Sequence, residues 1–320
     1  MPGTARVHLG NARGKVACLL YHRVVDPTED RFDFLTRGGV PAIAPRELAS
    51  NIAFLAQKGA KFCTFEDLQD GRFPSRGEFG VIVCFDDCFR DNYETGRAVL
   101  EEHGVRGVFF QTSGLVDRRD LLWEHALYWC GRDVANRERL RQLVHRVLDQ
   151  QRAKSMHLMG DLIAFLREHV LFEHTKAVLQ CAADDVAFEW RSLHLPGELY
   201  PTRQHVRAAR LAGHEIGSHG HEHLMRANIS ARLFEDDLAR SRDVLAQILG
   251  ETPRSYSYPF SSYLPGDESI CAKFFNMAAL VERRERITKD IDPYRIPRFT
   301  WPGPARNRLR ERRWLLSGTI

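Results

Sequence analysis

Two short stretches concentrate residues able to do chemistry. The first, CFDDCFRDNY over residues 84–93, sets Asp86 and Asp87 side by side after the apolar run Val81, Ile82, Val83, Cys84 and Phe85. The second, GHEIGSHGHEH over residues 213–223, carries His219, His221 and His223 at alternate positions. Two neutral imidazoles and one carboxylate are the usual donor set of an open zinc site, with water in the remaining position. Histidines four apart face the same way around a helical turn, whereas histidines two apart share a face only in an extended chain. The strand before them ends at Ser218, so the spacing pairs His219 with His223 and turns His221 away; His214, ahead of the strand, reads as structural. Asp86 or Asp87 could supply the carboxylate, and the other could take a proton from water activated by the ion, the outline of metal-assisted hydrolysis. The bland alternative makes the aspartates caps of a following helix and the histidines surface residues.

The positions of these clusters depend on the elements that carry them. Runs at residues 16–21, 61–65, 81–85, 107–111, 215–218, 255–258 and 275–280 read as strands. Between several of them lie apolar residues at helical spacing, such as Leu48, Ile52 and Leu55, or Leu238, Leu245, Ile248 and Leu249. Strands alternating with helices predict an α/β fold with a parallel sheet, open or closed into a barrel. Both clusters then sit at C-terminal strand ends, where the functional residues of such sheets gather. Residues 117–202 break the rhythm. They contain no convincing strand, show helical patterns over 137–151 and 154–170, and read as an inserted helical subdomain whose Trp123, Tyr128, Trp129 and Trp190 either cover a site or form a small core.

Composition narrows the class. With 43% apolar and 28% charged residues in 320, the chain is an ordinary globular protein, neither disordered nor membrane-embedded. It has no run of about 18 apolar residues. Its first residues lack the apolar core and cleavage site of an export signal, so the expected location is the cytoplasm. Seven cysteines without a C-x-x-C pair suit reduced thiols better than disulfides or a thiolate zinc site. The net charge of +4 is concentrated in a basic tail, residues 303–320, where Arg306, Arg308, Arg310, Arg312 and Arg313 face only Glu311. Such a tail could meet a phosphate or an anionic membrane surface, or be a solvated helix face; no nucleic-acid partner is expected.

At this point the sequence resembles a known family. FDDCFRDNY, HVRAARLAGHEIGSHGHEH and LARSRDVLAQILGETPRSYSYPF resemble, in order and at compatible spacing, the three motifs of the polysaccharide deacetylase family, the NodB-type domain of carbohydrate esterase family 4. DPYRIPRF, residues 292–299, is similar to a segment near the end of one subgroup. The resemblance covers most of residues 16–116 and 203–300. It implies a deformed (β/α) barrel forming one domain over 1–320, a single metal ion, and removal of an N-acyl group, usually acetyl, from an amino sugar. Carried over by motif, Asp86 is the general base, Asp87, His219 and His223 the metal ligands, and Phe260 the residue whose backbone N–H helps bind the oxyanion. Zinc is the default ion, although cobalt, nickel and iron accept the same donors.

The departures from the family pattern carry their own expectations. Cys88 stands where glycine is usual, Gly220 where serine or threonine is usual, and Ser257 where an arginine normally pairs with the base. Arg295 or Arg298, from YRIPR, would replace that arginine. The family's late catalytic histidine has no counterpart, since no histidine follows His223. LLYHRV, residues 19–24, resembles the N-terminal strand of permuted members, which makes His22 the expected proton donor. The reading is a metal-dependent N-deacetylase acting on a cytoplasmic precursor, such as a nucleotide-linked or lipid-linked sugar or a small glycoside. A carbohydrate-binding protein on a degenerate barrel and a hydrolase of another amide, such as N-formyl, are the alternatives.

Overall fold

The structure is a computed structural model and describes residues 15–75, 77–118, 121–130, 138, 142, 195–281, 286–288 and 290–300. The expected helices over 137–151 and 154–170, apart from Glu138 and Gln142, lie outside the described residues, as do Trp190 and the basic tail.

The described residues form ten strands: β1 Lys15–Tyr21, β2 Arg23–Val24, β3 Ala42–Ile43, β4 Lys61–Phe62, β5 Phe79–Phe85, β6 Val108–Gln111, β7 Glu215–Ser218, β8 Ser255–Ser257, β9 Met277–Val281 and β10 Ile296–Thr300. Seven of them close into a parallel barrel in the order β1, β10, β9, β8, β7, β6, β5, with β5 returning to β1 along its full length from Lys15↔Phe79 to Tyr21↔Phe85. The other edge of β5 is divided, β4 pairing near its start and β6 near its end. β2 and β3 form a separate parallel pair.

The near-continuous apolar sequence of β1 and β5 follows from this placement. One set of alternate residues, including Val16, Cys18, Leu20, Ile82, Cys84, Val108, Phe110, Met277, Ala279 and Ile296, forms one buried cluster across five strands and fills the barrel. The other set, including Ala17, Leu19, Tyr21, Val81, Val83 and Phe85, packs outward with Leu48, Ile52 and Leu55 of the helix Pro45–Gln57. Strands covered on both faces need apolar residues at every position. Each fully buried Val, Leu, Ile, Phe or Met side chain contributes about 1.5–3 kcal/mol. Outside β7 and β8 lies the helix Ala231–Leu249, started by the Ser230 hydroxyl, which accepts the Leu233 N–H, and ended by Gly250 at φ 78°.

β10 lay beyond the sequence reading because Pro297 lies within it, and proline argues against a central strand. The structure accommodates it by stagger. β10 pairs β9 at Ile296, Pro297 and Arg298, while its pairing with β1 begins only at Phe299.

The two ends of the 117–202 insertion are joined at the barrel. The Asp117 N–H donates to the Pro201 carbonyl, and the Asp117 carboxylate accepts from Arg203 at 3.0 Å. The helix Trp123–Cys130 of the insertion lies beside the barrel mouth, with the Trp129 ring edge-on to Phe34 at 5.3 Å. Among the described residues no helix is long and apolar enough to cross a membrane.

Candidate metal centre and active site

The interior parity of the barrel delivers the site. Residues 20, 84, 217 and 296 point inward, so the next inward positions, 22, 86, 219 and 298, meet at the C-terminal mouth. They are His22, Asp86, His219 and Arg298. Asp87 should point outward by the same rule. It does not, because the strand ends at Phe85 and the chain turns through left-handed conformations at Asp87 (φ 63°) and Cys88 (φ 57°). That turn brings both carboxylates to one centre. It also explains why glycine suits position 88, since a side chain there carries a strain of about 1–3 kcal/mol.

Asp87 Oδ1 lies 3.1 Å from His223 Nε2 and 3.4 Å from His219 Nε2. One donor atom from each of the three falls within 4.8 Å of the others. The opposite nitrogens are committed: His219 Nδ1 donates to the Ser257 carbonyl at 2.8 Å, and His223 Nδ1 to Glu124 Oε1 at 2.7 Å. Both Nε2 atoms are thereby left to face the shared centre, the tautomer a metal ligand needs. Two imidazole nitrogens and a carboxylate oxygen fit a divalent transition metal. All four motif residues are buried, with exposures of 4% for Asp86, 8% for Asp87, 1% for His219 and 6% for His223, which rules out the surface reading.

The turn between the histidines is not the expected helical one. Gly220 sits at φ 78° and His223 at φ 54°, and the Asp237 carboxylate, from the helix behind, accepts the His221 and Glu222 N–H groups at 2.9 and 3.0 Å. A Cβ on residue 220 would lie 2.7 Å from Asp237 Oδ2, so the glycine belongs to this bracing. Burial pushes the Asp237 carboxyl up to about 6 against those bonds. His221 does face away, into a bond between Nδ1 and Ser113 Oγ at 2.8 Å, and burial pushes its pKa down to about 4. His214 Nδ1 accepts the Gly107 N–H at 2.9 Å.

Asp86 forms a bidentate pair with Arg298, at 2.7 Å from Oδ1 to Nη1 and 2.8 Å from Oδ2 to Nη2. Ser257 Oγ accepts from Arg298 Nη2 at 2.6 Å and donates to Asp86 Oδ2 at 3.2 Å. Of the two arginines considered, the structure therefore selects Arg298. Arg295 lies in the turn before β10, its N–H donating to the Asp292 carbonyl, and its guanidinium lies 5.2 Å over the Tyr263 ring. Serine in the third motif thus bridges an arginine that arrives from another strand. Burial alone would raise the Asp86 pKa, but Arg298 and His219 outweigh it and hold the carboxylate below its ordinary range. Burial likewise opposes the Asp87 charge, and His223 and His219 hold that group well below the usual value. For His223 burial disfavours the imidazolium, yet Glu124 and Asp87 together push its pKa up to about 10. A site that holds a positive charge so firmly is suited to a cation.

His22 follows β1 at the same mouth; its carbonyl accepts from Asn92 Nδ2, and its buried Nδ1 has no partner among the described residues. Burial lowers its pKa, with Asp87 and Asp86 opposing. Phe260 lies in the turn Pro259–Ser261 at φ 56°, its ring 4.5 Å from that of His223. These residues line a cavity of ≈ 170 Å³ that also receives Glu124, His125 and Tyr128 from the insertion. Sequence reasoning missed Glu124, because nothing in WEHALYW separates a residue that reaches His223 from a solvated helix face. It also left Asp237 unassigned.

A parallel seven-stranded barrel with an aspartate pair and two histidines at its mouth defines a (β/α) barrel of the NodB type. The chain belongs to the polysaccharide deacetylase family, whose sequence pattern it matches over residues 75–273. A search of curated proteins finds no match. Among solved structures, IcaB from Ammonifex degensii is similar at a TM-score of 0.55 and 19% identity, covering 91% of this chain and 93% of that one. The deacetylase PplD from Streptococcus pyogenes, in complex with acetate, has a TM-score of 0.57 at 12% identity, with coverage of 91% and 93%. A polysaccharide deacetylase from Bacillus cereus has a TM-score of 0.55 at 14% identity; the match covers 89% of this chain but 64% of that one. These likenesses establish the fold.

Proposed function

We propose that the protein is a metal-dependent N-deacetylase of an amino sugar. The observation that carries this reading is the pairing of two preset groups: a carboxylate kept ionised by Arg298, beside a separate Asp87, His219 and His223 donor set. A carbohydrate binder has no use for both. A divalent ion held by Asp87, His219 and His223 supplies Lewis-acid polarisation of the amide carbonyl and of water.

The chain's own groups do the rest. Asp86, ionised and fixed in orientation by two bonds from Arg298, accepts a proton from the water that adds to the acyl carbon. The backbone N–H of Phe260 is assigned to the developing oxyanion, a contact worth about 3–4 kcal/mol in comparable sites. As the C–N bond breaks, His22 gives a proton to the leaving nitrogen, so the products are acetate and the free amino sugar. Burial makes the His22 imidazolium a stronger acid than usual.

Zinc is the proposed ion on the chemistry of the donors. Among the described residues five cysteines, 18, 63, 84, 88 and 271, are buried free thiols, which is compatible with the proposed reducing compartment. Nucleotide-linked or lipid-linked N-acetyl sugars and small glycosides are the proposed substrates, with the arginines of 303–320 meeting a diphosphate or an anionic membrane surface. The test is acetate release from such a panel by zinc-loaded and chelator-treated protein, with formate release from N-formyl analogues in parallel. Acetate released only by the loaded form is the expected result. Tight sugar binding without turnover by the zinc-loaded protein would reject it in favour of the binding role.

A further inference from the structure

The two histidine ligands are held in different ways. His219 follows directly on β7, its backbone N–H bound to the Gln111 carbonyl and its Nδ1 to the neutral carbonyl of Ser257. His223 lies four residues farther on, in a left-handed conformation and outside any strand. Its ring is set between the Phe260 ring and the Glu124 carboxylate, which is 4% exposed and 2.7 Å from Nδ1.

We propose that Glu124 is a positioning residue for the metal centre, through which the insertion becomes part of the active site. The contact supplies both aim and charge. A carboxylate on Nδ1–H fixes the ring with Nε2 toward Asp87 and increases the basicity of Nε2, which a neutral carbonyl does less strongly. The placement of Glu124 is itself braced. Tyr200, near the far end of the insertion, accepts the Leu122 N–H through its hydroxyl at 2.9 Å, and that hydroxyl bonds His125 Nδ1 at 2.7 Å. The first helix of the insertion is thus held where Glu124 reaches His223. The insertion therefore contributes to metal affinity, in addition to the wall that His125 and Tyr128 give the cavity.

The inference rests on the metal reading of Asp87, His219 and His223. Its test is the zinc dissociation constant of the full chain, measured by chelator competition for wild type, Glu124→Gln and Glu124→Ala, with the melting temperature of each metal-free form recorded alongside. Removal of such a carboxylate lowers metal affinity by about 10- to 100-fold, with Glu124→Gln at the lower end because the amide keeps the shape of the contact and loses its charge. A merely structural role would lower the melting temperature and leave the dissociation constant unchanged. Wild-type zinc affinity in Glu124→Gln overturns the proposal. Should the variants fail to fold, proton NMR of the zinc-loaded wild type decides: a strongly downfield Nδ1–H resonance that the His223→Ala variant lacks is expected, and its absence overturns the proposal. A wild-type protein that takes up no zinc overturns both this inference and the metal reading, whereas normal zinc uptake with an unaffected Glu124→Gln overturns this inference alone.

Discussion

Replacing Arg298 by methionine tests the proposed base directly. The substitution keeps an unbranched side chain in the barrel but removes two short bonds to Asp86 and one to Ser257. What remains on Asp86 is the Ser257 hydroxyl at 3.2 Å and His219 Nε2 at 3.8 Å, at a carboxylate only 4% exposed. Leaving one partner of a buried pair uncompensated costs about 3–5 kcal/mol. If about 3 kcal/mol of that falls on the ionised carboxylate, its proton-binding equilibrium changes by more than 100-fold, at about 1.36 kcal/mol per factor of ten. The sign follows from the native direction. Asp86 is held below its ordinary value by Arg298, and burial alone would raise it. The acid limb of kcat/KM should therefore move to higher pH, by up to about two pH units; the charge of a bound ion acts in the same direction as Arg298 and reduces the displacement. Arg298→Lys restores the charge without the bidentate fork and should fall between. The assay is acetate release as a function of pH with saturating zinc. Profiles of Arg298→Met and wild type that superimpose after scaling would refute the claim that Arg298 keeps the base ionised.

Other outcomes follow from the same geometry. The His219→Ala/His223→Ala double variant should lose zinc, by elemental analysis, while keeping its circular dichroism; retained zinc would mean that the ion sits elsewhere. His22→Ala should lower kcat by about 10²–10⁴-fold with little change in KM, the range for a lost general acid, and a kcat within threefold of wild type would remove His22 from the chemistry. Gly220→Ala places a Cβ 2.7 Å from Asp237 Oδ2 at φ 78°, and a destabilisation of about 1–3 kcal/mol in urea unfolding is expected; wild-type stability would show that the turn relaxes freely. In chelator-treated protein, the raised His223 pKa contributes stability that is full below about pH 6.5 and is lost as pH rises through about 10. Melting temperature should accordingly decline between about pH 6.5 and pH 10 in wild type and much less in His223→Gln.

Much of the barrel and its site could be read from the chain because the relevant signals are local. Residues 81–85 and 215–218 are short apolar runs that end at charged or imidazole groups, and parallel strands put such ends together. Asp86, Asp87, His219 and His223 were legible for that reason, and His22 through the resemblance of LLYHRV to the N-terminal strand of permuted family members. The geometry behind the pairing was not. Side-by-side carboxylates on a strand point apart, and only the left-handed turn at Asp87 and Cys88 brings them together. His219 and His223 converge through a turn braced by Asp237 rather than through a helix.

The sequence by itself determined which residue types end the strands, and hence the chemistry available: two acids, three imidazoles and an arginine-bearing segment. Tertiary structure alone decided the partnerships. Asp86 meets Arg298 across 212 positions of sequence, and His223 meets Glu124 across 99. Such contacts depend on the closure of the barrel and on where the insertion docks. Local spacing does not encode either, because a side chain's partners across the barrel are set by strand order and inward parity rather than by its neighbours along the chain.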